Sequence, residues 1–247
     1  MTIQKAPKMP SPRDQVTTYQ ERLAQASPQE LLTVFLRDFP GQVTLASSLG
    51  AEDQVLTHML TTLTDAPRVF VLDTGRLHEE TYEVLHLSMK KYGIAYELFA
   101  PDTQELEKLI REKGPNSFYE SVENRKLCCA IRKTHPLKRA LADCKAWVTG
   151  LRQEQSANRA AVPSVEWDAV HERIKLNPLA HWTNDQVWDY INAHDVPFNY
   201  LHKKGYPSIG CAPCTRAIQP GEDFRAGRWW WESDRTTECG LHGKKES

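Results

Sequence analysis

Nothing in this chain approaches the ~20 consecutive apolar residues that a membrane-spanning helix needs. Its first twenty residues are polar, carry three prolines and contain no apolar run of the kind that opens an export signal, so a cytoplasmic location is expected. A basic excess is missing too. With 31 Lys and Arg against 32 Asp and Glu, interspersed along the chain, the formal net charge is −1, which argues against a general nucleic-acid or membrane surface and leaves anion binding to local clusters. Repeats and low-complexity tracts are absent. What remains is 247 residues, enough to bury one large α/β core without disulfide or metal staples.

Cysteine is scarce but placed. Cys128 and Cys129 are adjacent, Cys211 and Cys214 are spaced C-x-x-C, and Cys239 stands alone in Glu238-Cys-Gly-Leu-His242. In a reducing compartment such residues persist as thiols, metal ligands or transient catalytic disulfides. Two pairs make a four-thiolate site that suits zinc or an iron–sulfur cluster. Zinc pairs usually leave two to four residues between ligands, so the adjacent pair tilts the reading towards a [4Fe-4S] cluster. Cys144 has no partner at a useful spacing and is expected to be a buried spectator.

The apolar pattern alternates strands and helices. A helix over Pro28 to Asp38 precedes the β-prone run Val43 to Ser47, which stops at Ser47-Ser-Leu-Gly50 and enters a helical pattern over Glu52 to Leu63. Arg68 to Leu72 is a buried strand ending in Asp73-Thr-Gly75, followed by a helix over His78 to Tyr92 and a strand over Ala95 to Phe99. Segments 105–113 and 133–143 and the strand Ala146 to Thr149 continue the series, and Gly150-Leu-Arg152 opens the next loop. Val165 to Asp168 and Arg173 to Leu176 read as short strands, and Thr183 to Ala193 as a helix with a Thr-x-x-Gln cap. This grammar predicts an α/β fold with an open, mostly parallel twisted sheet flanked by helices. Ligands of such sheets sit beyond the carboxyl ends of the strands. Ser47, Ser48, Asp73, Thr74, Gly75 and Arg152 therefore become candidates for a nucleotide site, although each loop alone also fits an ordinary turn.

Cations gather near the cysteines: Arg125, Lys126, Arg132 and Lys133 beside the first pair, Arg216, Arg225 and Arg228 after the second. Arg152 and Arg159 bracket Gln155-Ser156 in a strand-end loop, where guanidinium groups suit phosphate. Cys239 has His242 three residues on and glycine beside it. A nucleophilic thiol needs access and a lowered pKa, which that setting can supply, but a tail cysteine without a role fits equally. Packing against the body is the expected job of Trp229-Trp-Trp231.

Taken together, Cys128-Cys-Ala-Ile-Arg-Lys133, Cys211-Ala-Pro-Cys-Thr-Arg216, Gly227-Arg-Trp-Trp-Trp231, Glu238-Cys-Gly-Leu-His242, Leu72-Asp-Thr-Gly75 and Gly150-Leu-Arg-x-x-Gln-Ser156 resemble the assimilatory adenylyl-sulfate (APS) reductases, relatives of the phosphoadenylyl-sulfate (PAPS) reductases. The resemblance spans roughly residues 40–245. It implies an adenine nucleotide α-hydrolase-like fold, one [4Fe-4S] cluster per subunit on Cys128, Cys129, Cys211 and Cys214, Cys239 as nucleophile with His242, and thioredoxin or a glutaredoxin-like dithiol as reductant. Carried over by position, Ser47 and Ser48 line the nucleotide site, Lys133 lies between cluster and substrate, Arg159, Arg225, Arg228 and His242 contact the phosphosulfate, and Arg152 is a neighbour. The implied division is a polar N-terminal arm (1–25), a nucleotide- and cluster-binding α/β domain (26–214) and a mobile C-terminal segment (215–247) that bears the catalytic cysteine. One departure is Thr236-Thr237, with Arg235 one place further out, where many members carry a basic residue just before the Glu-Cys-Gly-Leu-His motif.

The implied reaction is reduction of APS to sulfite and AMP through an S-sulfo cysteine, with PAPS or dual use as the alternative. Cluster-bearing members mostly use APS, which sets the preference expected here. A tRNA-thiolating enzyme of the ATP pyrophosphatase type fits less well, because Leu49 stands where that loop has a second glycine and the net charge is not basic. A non-enzymatic redox sensor leaves the Glu-Cys-Gly-Leu-His motif unexplained. No nucleic-acid or membrane partner is expected, and homo-oligomerisation is left open.

Overall fold

The computed structural model describes residues 12–232. Its centre is a six-stranded sheet built from β1 (Val43–Ser47), β2 (Val69–Leu72), β3 (Glu97–Phe99), β4 (Ala146–Val148), β5 (Val165–Asp168) and β6 (Arg173–Leu176), in the order β3-β2-β1-β4-β6-β5. Every pair is parallel except β5 with β6. Only a short loop joins those two, too short for a crossover, so they pair as an antiparallel edge. Val170 N–H and His171 N–H donate to Asp168 Oδ1 at that turn.

Helices α1 (Pro12–Arg22), α2 (Pro28–Asp38), α3 (Ala51–Leu63), α4 (Glu79–Tyr92), α5 (Thr103–Lys113), α6 (Val122–Cys129), α7 (His135–Ala140) and α8 (Asn184–Ala193) flank the sheet. Residues of the inner strands β1, β2, β4 and β6 are mostly buried on both faces, as in sheets covered on each side, whereas edge strand β3 is largely exposed. One face presents Leu45, Val69, Val71 and Val148 to the main core. Phe70 and Trp147 point the other way, onto Leu137, Ala140 and Leu141 of the α7 region and the buried Cys144. Burial pushes the Cys144 thiol up to about 11, in keeping with an inert core residue. Two helix starts follow from local chemistry. Ser27 with Glu30 and Thr183 with Gln186 form reciprocal capping boxes.

Two expectations change. Residues 12–22, expected within a polar arm, form α1, because Val16, Tyr19 and Leu23 fall on one helical stripe and bury into the core. Tyr19 packs 4.5 Å from the Phe35 ring and donates its hydroxyl to Asp38. Residues 215–232, expected within a mobile segment, are packed. Thr215 bridges Arg228, Ala226 and Trp229 are buried, and Trp231 lies 4.5 Å from the Tyr119 ring. Among the described residues no helix is long and apolar enough to cross a membrane.

Candidate active site at the strand ends

Chain order reverses between β1 and β4, since β1 is followed on one side by β2 and flanked on the other by β4. Ligands of doubly wound sheets bind at that switch. A cavity of about 200 Å³ opens there, lined by Ser47 at the end of β1 and Ser48 beyond it, Thr74 after β2, Thr149 and Gly150 after β4, and apolar groups that include Phe70, Leu72, Ile209 and Phe224.

The first loop is held by its own side chains. Ser48 N–H and Oγ–H donate to Asp53 Oδ2, and Leu49 N–H donates to Ser47 Oγ. Leu49 takes φ 62°, a left-handed geometry that a branched side chain adopts only under constraint, and is fully buried. Asp53 is buried as well. Burial pushes its carboxyl up to about 6 against the opposing donors of Ser48 and Gly150. Gly150 must be glycine, because a Cβ there would sit 2.4 Å from Asp53 Oδ1. Asp53 thus ties the β1 loop to the β4 loop. Glu52, also on the cavity wall, accepts from Arg152 and Gln155, each at 2.9 Å.

That contact relocates one candidate. Arg152 is 1% exposed, and its guanidinium is taken by Glu52, Glu154 and the Trp182 carbonyl, so it braces the loop from behind and does not line the cavity. A buried guanidinium must be paired, and these carboxylates do so. Asp73 and Gly75 are likewise off the wall. Asp73 accepts the Gly75 N–H and the Tyr82 hydroxyl, and Gly75 at φ 66° completes the turn that presents Thr74.

The cationic wall is formed by Lys133, Arg159, Arg225 and Arg228. Arg228 Nη1 donates to Ser208 Oγ and the Ile209 carbonyl, and Gly210 leaves room for its head group. Arg159 donates to Gln155 Oε1.

Beside this wall lie the thiols. Cys128 and Cys129 end α6, where the helix widens into a π-helical stretch, Ala130–Thr134, of the kind often found at functional sites. The C-x-x-C loop is pinned to the β2 loop. Ala212 N–H donates to the Arg76 carbonyl, and Cys211 Sγ lies 3.3 Å from Thr74 Oγ1. Burial pushes Cys214 up to about 12, with Cys211 and Cys128 adding to the rise and Lys133 and Arg228 opposing it. Burial also raises Cys128, opposed by Arg132 and reinforced by Cys211. Three of the four paired sulfurs therefore share one electrostatic neighbourhood, with Cys129 adjoining Cys128 in the chain. Among the described residues no three His, Cys, Asp or Glu side chains close around a single ion. A cluster, whose irons sit at separate corners, suits more widely spaced thiols than one zinc does. Grouped thiols of which Cys128 and Cys214 are pushed up by burial and by a neighbouring thiol are a donor set that the positive charge of an iron centre would stabilise.

Cys239 and His242 lie outside the described residues. Sequence reasoning did not single out Glu52, Asp53 or Gly210, and named Gln155 only as part of a motif. The first two sit in the opening turn of α3, where acidic residues are common helix formers, and so carried no distinctive signal.

A mostly parallel α/β sheet with a crevice at its switch point walled by cations, and a group of thiols alongside, defines a nucleotide-binding fold. The chain belongs to the phosphoadenosine phosphosulfate reductase family, a family of oxidoreductases, whose domain matches residues 42–217. It is 50% identical over 221 residues to the adenosine 5'-phosphosulfate reductase of Allochromatium vinosum, covering 90% of this chain and 86% of that one. It is 55% identical over 201 residues to the enzyme of the same name from Burkholderia cepacia, covering 81% and 80%. Among solved structures it resembles PAPS reductase from Candida auris in a phosphate complex, with a TM-score of 0.71 and 26% identity over 87% of this chain and all of that one. FMN adenylyltransferase from Candida glabrata, with a TM-score of 0.53 and 14% identity over 98% and 81%, shares the fold alone.

Proposed function

We propose that the chain reduces APS to sulfite and AMP in assimilatory sulfate reduction, in the cytoplasm, with electrons from thioredoxin or a glutaredoxin-like dithiol. The observation that carries this reading is the cationic wall. Lys133 and Arg228 line the nucleotide cavity and also face Cys214, so a phosphosulfate on that wall would lie beside the thiol group. The names of the relatives at 50% and 55% identity point to APS as the nucleotide.

Ser47, Ser48 and Thr74 present hydroxyls to the nucleotide, with Asp73 and Gly75 shaping the turn behind Thr74 and Arg152 bracing the loop through Glu52. Lys133, Arg159, Arg225 and Arg228 offset the phosphosulfate charge, so that a thiolate can approach an anion. The Cys239 thiolate, with His242 three residues on in the chain, attacks the sulfur. The bond from sulfur to the phosphate oxygen breaks and AMP leaves with that electron pair, its growing charge met by the arginines. A dithiol thiolate then attacks the Cys239 sulfur and expels sulfite, and its second thiol resolves the mixed disulfide and restores Cys239. Two electrons have passed from dithiol to sulfonyl sulfur.

Cys128, Cys129, Cys211 and Cys214 would hold a [4Fe-4S] cluster, which supplies positive charge that keeps the thiolates ionised and orders the adjoining loops. The structural observation in its favour is the shared neighbourhood of Cys128, Cys211 and Cys214.

Incubation with APS and reduced thioredoxin tests the proposal. Equimolar sulfite and AMP are expected, and nucleotide binding without sulfite would refute it.

A further inference from the structure

Trp229 joins features that the reaction above does not use. It is 4% exposed, yet takes φ 46°, a backbone geometry that a bulky residue keeps only where its surroundings over-determine it. The Arg125 guanidinium lies over its ring at 4.6 Å and the Arg228 guanidinium at 5.0 Å. Two cations over one ring repel. Glu232 relieves this by taking Arg125 in a bidentate pair, 2.8 and 2.9 Å, with both side chains almost fully buried. The charge of Arg228 is left for the cavity it lines. Trp229 N–H donates to the Cys214 carbonyl, so the ring is also registered on the C-x-x-C loop.

Hydrogen bonds hold Arg228 only weakly. Its contacts to Ser208 and Ile209 are 3.2 and 3.3 Å, and its buried Nε–H has no hydrogen-bond partner among the described residues. The ring is therefore the principal restraint on the head group.

We propose that Trp229 is a positioning residue. With its ring buttressed by Arg125 and Glu232, it holds Arg228 against the cavity at the place where charge develops on the leaving phosphate. This rests on the APS reading, from which the role of Arg228 is taken. Charge that appears only as the sulfur–oxygen bond breaks is stabilised in the transition state more than in the bound substrate, so the effect belongs in kcat and not in KM.

A double-mutant cycle on full-length, cluster-loaded protein tests it, using Trp229→Leu, Trp229→Phe, Arg228→Met and Trp229→Leu/Arg228→Met. APS turnover is followed by AMP release, with thermal unfolding and iron content measured alongside. Trp229→Leu is expected to lower kcat about tenfold, the range a desolvated cation–π contact supplies, and to leave KM within about threefold. Trp229→Phe should recover most of the loss. Added to Arg228→Met, Trp229→Leu should cost less than about twofold more, because its effect passes through the missing guanidinium. Losses that multiply independently, or that fall on KM, would overturn the proposal. If Trp229→Leu does not fold, the same cycle with Trp229→Met, which keeps bulk but has no π face, is read by the same criterion. Wild-type protein that releases no AMP from APS would sink the APS reading itself, whereas normal wild-type turnover with an additive cycle would sink only the role of Trp229.

Discussion

Ser48 donates both its backbone N–H and its hydroxyl to one oxygen of Asp53, each over 2.6 Å. Because burial dominates, the Asp53 carboxyl still titrates well above its ordinary 3.8, at about 6. Between those values the folded chain retains a proton that the unfolded chain has released, so this group makes stability fall as pH rises from about 4 to about 6 and level off above. Asn at 53 cannot ionise. The stability of wild type relative to Asp53→Asn should drop across that window by up to about 3 kcal/mol, measured by urea unfolding. Parallel curves for the two proteins would show that Asp53 is not the titrating group.

Gly210 and Gly227 offer contrasting tests of the packing. A Cβ at 210 would lie 2.3 Å from Arg228 Nη2, the end of a side chain that can swing aside, so Gly210→Ala should keep its fold within about 1 kcal/mol and lose at least about tenfold in kcat/KM. A Cβ at 227 would meet the Arg216 carbonyl at 2.2 Å, where backbone must move, and Gly227→Ala should first lower the melting temperature. Unchanged kinetics in Gly210→Ala would separate Arg228 from catalysis.

Ser in place of Cys128, Cys129, Cys211 or Cys214 should remove iron and activity together. Anaerobically purified wild type should be brown, with about four irons and four sulfides per chain. Cys144→Ser should keep both, since that thiol is buried against Phe70, Leu137 and Trp147. Zinc in place of iron in a fresh anaerobic preparation would contradict the cluster assignment.

The parallel order and the placing of the crevice were legible because the central strands β1, β2 and β4 are short, mainly apolar runs that end in Ser47-Ser48, Asp73 and Thr149-Gly150. Leu45, Val69 and Val148 are buried for the reason their neighbours suggested. α1 was hidden, because its stripe of Val16, Tyr19 and Leu23 is diluted by charged residues and follows three prolines. α6 was hidden too, its helical cue Ser121 lying in a short segment whose cysteines drew the eye to chemistry. Lys133, Arg159, Arg225 and Arg228 were chosen for charge and motif, and the fold sets all four on the cavity. Arg152 matched the same criteria but meets Glu52, a long-range partner that no local pattern reveals.

APS and PAPS differ by a 3′-phosphate, whose charge of about −2 would need cations near the ribose. The four cavity-lining cations are taken here for the phosphosulfate. A kcat/KM preference for APS of at least about tenfold, roughly 1.4 kcal/mol, is expected in parallel single-turnover assays. Equal rates would reveal an accommodating basic pocket.

The proposed reaction turns on Cys239, whose thiol carries the sulfonyl group. Protein mixed with APS and no reductant, digested and examined by mass spectrometry, should show one sulfonate added to the peptide containing Cys239, with AMP released in equal amount, and reduced thioredoxin should discharge it as sulfite. Cys239→Ser should bind nucleotide and form no adduct. An adduct on another cysteine, or AMP release with Cys239 unmodified, would contradict the account.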